Sequence, residues 1–142
     1  MADIRHSILI DAPAERVRSL VISAAGFSEW WAADSSGTED GAAELGFFNK
    51  STVFRLRLES QSAQEILWRC ETGEEWNGTL LRFALTDSGP TTTLRFMHEG
   101  WANETDYFTS CNTTWGELMY RLKAAAEGKS RGPLFLADSL AY

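Results

Sequence analysis

Between residues 44 and 101 the chain alternates apolar and polar side chains in successive segments, and this period of two restricts the fold more than any other feature. The five segments cover residues 44–48, 52–60, 64–71, 77–87 and 91–101. In the second segment Phe54, Leu56 and Leu58 share one face, because residues two apart in a strand point the same way. Turn residues at 88–90 separate the last two segments. The pattern predicts hairpin-linked antiparallel strands with one buried face and one solvated face.

Helical periodicity flanks this block on both sides. Residues 13–24 begin at Pro13, which suits a first helical position, and Gly26 is predicted to end the helix. A longer amphipathic helix is predicted over residues 103–127. A sheet that is apolar on one face has to bury it, and the final helix has the widest apolar stripe. The sheet is therefore expected to curl around that helix.

A further strand is predicted at residues 4–11, and a short turn or helical fragment at GFSEWW, residues 26–31. The predicted fold class is therefore α+β, with the order β-α-α-β-β-β-β-β-α and a curved antiparallel sheet of about six strands around the C-terminal helix. A chain of 142 residues is one domain by size. We place that domain at residues 1–128 and assign residues 129–142 to a C-terminal tail.

The charge and composition of the chain narrow its partners. A net charge of −7 repels phosphate backbones and anionic lipid headgroups, so neither nucleic acid nor a membrane is an expected partner. The start of the sequence does not resemble a signal peptide, and no apolar run approaches the ~20 residues of a membrane helix, which predicts a cytoplasmic protein. Cys70 and Cys111 lack metal or redox spacing, and His6 and His98 form no ligand cluster. No metal and no cofactor are expected.

Five sequence runs, spread in order over residues 4–128, carry a resemblance to a known family. They are SILIDAPAERVRSLV, GFSEWW, ILWRCE, TTTLRFMHEGW and WGELMYRLKAAAEG. Together they resemble the helix-grip fold of the START-like (SRPBCC) superfamily, close to the activator of heat-shock-protein-90 ATPase homologue family. That superfamily includes lipid and hormone carriers and polyketide cyclases. The resemblance implies a cavity between the sheet and the last helix, but it transfers no catalytic residue.

Inward-facing aromatic and aliphatic residues are the predicted lining of that cavity. They are Phe54, Leu56, Trp68, Phe83, Phe96, Tyr107 and Trp115, joined by Trp30, Trp31 and His98. The six tryptophans and eight phenylalanines of the chain favour a ring-bearing ligand. The expected partner is a small apolar or aromatic molecule.

Trp30 and Trp31 are adjacent, and a regular helix or strand buries only one of two adjacent side chains on a given face. In the resembled fold this segment crosses the open end of the sheet. One ring then fills the core while its neighbour faces the cavity entrance. The alternative is that both rings pack in the interior, one on the sheet and one under the loop that follows.

His6 and His98 are predicted to lie close together, because the first and last strands pair in the resembled fold and both residues have the inward parity. They are the candidate polar handles for a ligand, with protonation of His98 expected to weaken binding below about pH 6. The alternative is that both are structural residues at the core edge.

The sequence favours a binding protein over an enzyme. A chaperone-associated interaction module, as in the resembled family, is the first alternative, and a cyclase or hydrolase that uses the cavity is the second. The run GKSRG at residues 128–132 matches the G-x-S-x-G pattern of serine hydrolases. It follows a helix instead of a strand and precedes no histidine, so no catalytic residue is assigned. The protein is expected to be a monomer or a homodimer.

Overall fold

The structure, a computed structural model, describes residues 1–138 and contains seven strands and three helices. In chain order these are β1 (Ala2–Ile10), α1 (Ala14–Val21), α2 (Ala24–Phe27), β2 (Asp34–Gly37), β3 (Ala42–Phe47), β4 (Thr52–Gln61), β5 (Glu65–Cys70), β6 (Leu80–Asp87), β7 (Thr92–Trp101) and α3 (Asp106–Ala126). None of the helices within residues 1–138 is long and apolar enough to cross a bilayer.

All seven strands form one antiparallel sheet in the order β1-β7-β6-β5-β4-β3-β2. Strands β2 to β7 follow one another as hairpins, and β1 lies beside β7, with Ile8 opposite Leu94 and His6 opposite Phe96. The inward face holds the apolar residues of each strand, as the period of two predicts. The sheet curves around α3, which confirms the predicted α+β helix-grip fold.

One strand was not predicted. The sequence predicts about six strands, whereas residues 34–37 form the additional strand β2 at the sheet edge. Its sequence, DSSG, has no apolar alternation, because a short edge strand has only one neighbour and little surface to bury. Pairing with β3, with Asp34 opposite Gly46, defines it as a strand.

The first helical region is two helices instead of the single helix predicted over residues 13–24. The helix α1 ends at Val21, and Ser23 caps α2 by accepting a hydrogen bond from the Gly26 amide at 3.1 Å. The prediction that Gly26 stops the helix is therefore wrong. A Cβ atom at Gly26 would lie 2.6 Å from the Ser19 carbonyl oxygen, so glycine here allows α2 to approach the end of α1.

Helix α3 begins at a Thr105 cap, whose hydroxyl accepts a hydrogen bond from the Phe108 amide at 3.2 Å. Near the other end, the Lys123 ammonium donates to the Leu9 carbonyl and to Glu127. The bond to Leu9 ties the helix to β1. The helix buries one stripe against the sheet, made of Phe108, Cys111, Trp115, Leu118, Met119, Leu122, Ala125 and Ala126.

The described part of the tail, residues 129–138, packs on its own domain. Phe135 is buried and forms a parallel bridge with Ala32, and the Asn49 amide donates to the Ala137 carbonyl at 2.8 Å. The interior of the domain therefore includes a residue beyond position 128. Residues 139–142, which the sequence analysis also assigns to the tail, lie outside the described residues.

The outward face of the sheet carries ion pairs between strands. Arg55 contacts Asp40, Glu44 and Glu71, and Arg57 contacts Asp40 and Glu71. The hydrogen bond from the Arg57 guanidinium is the main reason that the pKa of Glu71 lies below its ordinary value. These ion pairs account for the charged side chains on the outward face of β4, so no bound ligand is needed to explain them.

Gly26→Ala is expected to lower the free energy of unfolding by about 1 to 3 kcal/mol, because the added Cβ would meet two carbonyl oxygens of α1. Urea denaturation measures this loss. Gly37→Ala is the matched control, since no atom lies within 4 Å of the position of its Cβ. Equal losses in the two variants would contradict the close approach of α1 and α2.

Candidate functional site

A pocket of about 160 Å³ lies between α3 and the β3–β4 end of the sheet. Its wall consists of Trp31, Phe47, Phe48, Thr52, Phe54, Trp76, Tyr107, Cys111, Thr114, Trp115, Leu118 and Phe135. Trp31 and Trp115 are buried at its inner end, whereas Phe48, Thr52 and Thr114 are half-buried. The pocket therefore runs from the surface to the aromatic core.

Helix α3 contributes one face to the wall. Tyr107, Cys111, Thr114 and Leu118 follow one another at intervals of four, three and four residues, so they line up along one side of the helix. This strip forms one edge of the stripe that packs on the sheet, since Cys111 and Leu118 belong to both. The pocket is the space where α3 and the sheet diverge.

Stacked rings form the opposite side of the wall. The rings of Phe54 and Trp76 are nearly parallel, with centroids 4.2 Å apart and planes 5° apart. Gly73 makes room for them, because a Cβ there would lie 2.9 Å from Phe54 Cε1. The Trp115 ring continues the cluster, 6.2 Å from Trp76 and 5.0 Å from Trp31. Each ring is fixed by its neighbours, so the wall is preformed.

His98 lies directly behind this wall, fully buried, with both ring nitrogens hydrogen-bonded to the protein. The Trp115 indole Nε1 donates to His98 Nδ1 at 3.2 Å. The Thr79 hydroxyl donates to the Trp76 carbonyl at 2.6 Å, so its oxygen is free to accept from His98 Nε2 at 2.8 Å. This arrangement fixes the tautomer as neutral imidazole with the proton on Nε2.

Burial lowers the pKa of His98 from 6.5 to about 3. The ring is therefore neutral at pH 7, as the sequence analysis expects, but it also stays neutral far below pH 6. His98 does not become protonated near pH 6, so it gives no reason for ligand binding to weaken below that pH. His98 is hydrogen-bonded to Trp115 directly and to the Trp76 backbone through Thr79, so it helps to fix the positions of two residues of the pocket wall.

Trp30 and Trp31 are both buried but have different surroundings. The Trp30 indole donates to the Leu20 carbonyl at 2.8 Å and its ring packs on Phe83. The Trp31 ring contacts Trp115 and lines the pocket. One ring thus belongs to the core and the other to both core and pocket wall.

The predicted cavity residues divide into two groups. Four of them line the pocket, namely Trp31, Phe54, Tyr107 and Trp115. The other six lie in the interior outside the wall, namely Trp30, Leu56, Trp68, Phe83, Phe96 and His98. Parity shows which face of a strand a residue occupies, but it does not show which element covers that face. Here α1 covers part of it, since the Trp68 indole donates to the Val21 carbonyl at 2.8 Å.

His6 lies on the inward face of β1, diagonal to His98 because it pairs with Phe96. Its Cε1 is 3.7 Å from the position that a Cβ on Gly116 would take. The buried Nε2 of His6 has no hydrogen-bond partner among residues 1–138. His6 does not line the pocket, and its role as a polar handle stays a prediction.

Eight wall residues were not among the predicted cavity residues. They are Phe47, Phe48, Thr52, Trp76, Cys111, Thr114, Leu118 and Phe135. Cys111 and Leu118 carried a signal, because both lie on the apolar stripe of the final helix. Trp76 and Phe135 lie in a turn and in the tail, where no periodicity marks the inward side.

The pocket wall holds two titratable side chains among the described residues, Tyr107 and Cys111. Burial raises the pKa of the Cys111 thiol above its ordinary value, so the sulfur stays protonated at neutral pH. A thiol in this form is a poor nucleophile. The wall therefore offers shape and apolar contact with a few weak hydrogen-bonding groups.

Solved structures resemble this chain over most of its length. The Aha1 dimer from Colwellia psychrerythraea has 27% identity and a TM-score of 0.79, over 91% of this chain and 98% of that one. A START superfamily protein from Mycobacterium smegmatis has 17% identity and a TM-score of 0.67, over 89% and 97%. CalU16 from Micromonospora echinospora has 16% identity and a TM-score of 0.71, over 92% and 68%. No family model and no curated protein matches the chain.

These matches confirm the START-like, Aha1-like fold that the sequence resemblance predicts. Two of the three structures share less than a fifth of their residues with this chain, so they show the fold alone. The function has to be argued from the pocket.

His98→Phe is expected to destabilise the protein at pH 7 by about 1 to 3 kcal/mol, because the buried Trp115 indole loses its acceptor. The penalty should shrink by about 2 kcal/mol at pH 5. Acid protonates His98 in the unfolded chain, with its ordinary pKa of 6.5, but not in the fold. The stability that His98 gives the wild type is therefore lost as the pH falls from about 6.5 toward 3. Urea denaturation of both proteins at the two pH values measures this, and a constant difference would contradict the buried neutral ring.

Proposed function

We propose that the protein binds a small apolar or aromatic molecule with a single ring in the pocket between α3 and the β3–β4 end of the sheet. The observation that carries this proposal is the ring-lined wall around a volume of about 160 Å³. An apolar cavity of about 150 Å³ holds one benzene molecule, whereas sites for drug-sized ligands begin at about 300 Å³. The volume therefore favours one ring over a steroid or a polyketide.

The chemistry of the wall supports binding over catalysis. General acid–base catalysis needs a titratable group near the reacting atom, with a pKa near the working pH. Within residues 1–138 the wall supplies no Asp, Glu, His, Lys or Arg, and its thiol stays protonated. Thr52, Thr114 and Tyr107 provide hydroxyl groups that can orient a ligand.

Thermal unfolding with and without benzene tests the proposal. A ligand that binds only the folded state at tenfold its Kd stabilises the protein by about 1.4 kcal/mol, which raises the Tm by roughly 3 to 6 °C. Native mass spectrometry of the purified protein is the complementary measurement, because it detects a small molecule that is retained from the cell. No change in Tm with benzene, toluene or phenol would contradict the proposal.

Thr114→Phe should abolish the benzene effect, because the new ring fills the pocket that the ligand would occupy. The Tm without ligand should hold or rise, since a filled apolar void regains contacts. Thr113→Phe is the matched control, because Thr113 is the adjacent residue on α3 but is exposed and outside the wall. A benzene effect that survives in Thr114→Phe would place the binding site elsewhere.

The second candidate function is an interaction module that pairs with a second copy or with a chaperone. The 27% identical structure is a dimer, which favours this candidate. The exposed large apolar residues on the described part, Met1, Leu9, Val53, Tyr120 and Leu136, are surface that a partner could cover.

Light scattering during size-exclusion chromatography tests the homodimer. A mass of twice the 15.9 kDa of the chain should appear and persist over a roughly hundredfold range of loading concentration. A monomer mass throughout that range would contradict the homodimer but would leave the ligand-binding proposal unaffected.

A further inference from the structure

Residues 133–137, here called the C-terminal strap, cross one side of the pocket. The Leu134 and Phe135 amides donate to the Trp30 and Trp31 carbonyls at 3.1 and 3.0 Å, and the Ala33 amide donates to the Phe135 carbonyl at 2.9 Å. These three bonds attach the strap to the segment that carries the adjacent tryptophans. The strap is therefore held by main-chain bonds that do not depend on the identity of its side chains.

The far end of the strap reaches the connection between β3 and β4. The Asn49 amide donates to the Ala137 carbonyl at 2.8 Å. Phe48, Asn49 and Lys50 all have left-handed φ angles of 56°, 54° and 64°, a conformation that costs energy for residues other than glycine. Strained backbone of this kind concentrates at functional sites, and here it places the Phe48 ring in the wall of the pocket.

Phe135 is the side chain that the strap inserts into the wall. It is 5% exposed, and its ring meets Phe47 edge to face at 5.0 Å and Phe48 at 6.5 Å. Leu136, the next residue, is 54% exposed and outside the wall. Adjacent residues of one segment thus point in opposite directions, one toward the pocket and one toward solvent.

We propose that Phe135 is the residue that sets the upper size limit of the ligand, restricting the pocket to molecules with one ring. This inference rests on the proposed function. Like several other rings of the wall, Phe135 is buried and fills part of the interior, so shortening its side chain is expected to cost some stability. Phe135 alone among the wall residues belongs to the C-terminal strap, whose main-chain bonds remain when the side chain is shortened.

Isothermal titration calorimetry with benzene and naphthalene tests this limit. The wild type should bind benzene at least about tenfold more tightly than naphthalene, a difference of about 1.4 kcal/mol. Phe135→Ala should raise the affinity for naphthalene at least about tenfold, because the second ring occupies the space of the missing side chain. Leu136→Ala, the matched control, should keep the wild-type preference.

Phe135→Trp provides the opposite change. The larger ring should reduce the space in the pocket and weaken benzene binding by about tenfold or more. Should Phe135→Ala fail to fold, Phe135→Leu opens the pocket by a smaller amount and should shift the preference toward naphthalene in the same direction.

The outcomes separate this inference from the proposed function. Benzene binding by the wild type with an unchanged preference in Phe135→Ala or Phe135→Leu would overturn the role of Phe135 and leave the ligand-binding proposal standing. Tight binding of naphthalene by the wild type would overturn the one-ring limit, both here and in the proposed function, and would leave a pocket that binds larger aromatic molecules. No binding of either compound by any variant or by the wild type would overturn the proposed function, and this inference with it.

Discussion

The width of the sheet is the constraint on which the rest of the structure depends. Seven strands at ~4.8 Å spacing present an apolar face about 30 Å wide, whereas a helix with its side chains is only about 10 to 12 Å across. Helix α3 therefore covers only part of that face, on the side of β1. The helix α1, with Trp30, covers the middle of the sheet. Over β3 and β4 the cover consists of α2, loop side chains and the C-terminal strap, and the pocket lies there.

The interior that results is apolar but contains a few directed hydrogen bonds. The carbonyl groups of Leu20 and Val21 at the end of α1 have no partner within the helix, and the indoles of Trp30 and Trp68 satisfy them. His98 likewise accepts a hydrogen bond from the Trp115 indole and donates one to the Thr79 hydroxyl. Such bonds add little net stability each, but a buried polar group without a partner costs more, so alternative packings of the same rings are disfavoured.

Much of the fold could be predicted from the sequence, because the alternation of residues 52–60 and the stripe of the final helix are properties of each segment alone. The strand β2 could not, since DSSG has no apolar period and becomes a strand only by pairing with β3. The same limit applies to the site. Phe54 was found by strand parity, Trp115 by helical spacing and Trp31 through the family resemblance. Trp76 and Phe135 reach the pocket through a turn and a strap whose paths depend on tertiary contacts.

The tryptophans of the pocket wall also have an optical consequence. Trp31, Trp76 and Trp115 lie with ring centroids 5.0 to 6.3 Å apart, close enough for the electronic transitions of their indoles to couple. Coupled transitions of rings in a fixed relative orientation give a circular dichroism signal that three independent indoles would not give. The protein therefore contains an intrinsic spectroscopic reporter at the pocket, which responds to any change in ring geometry without an added label.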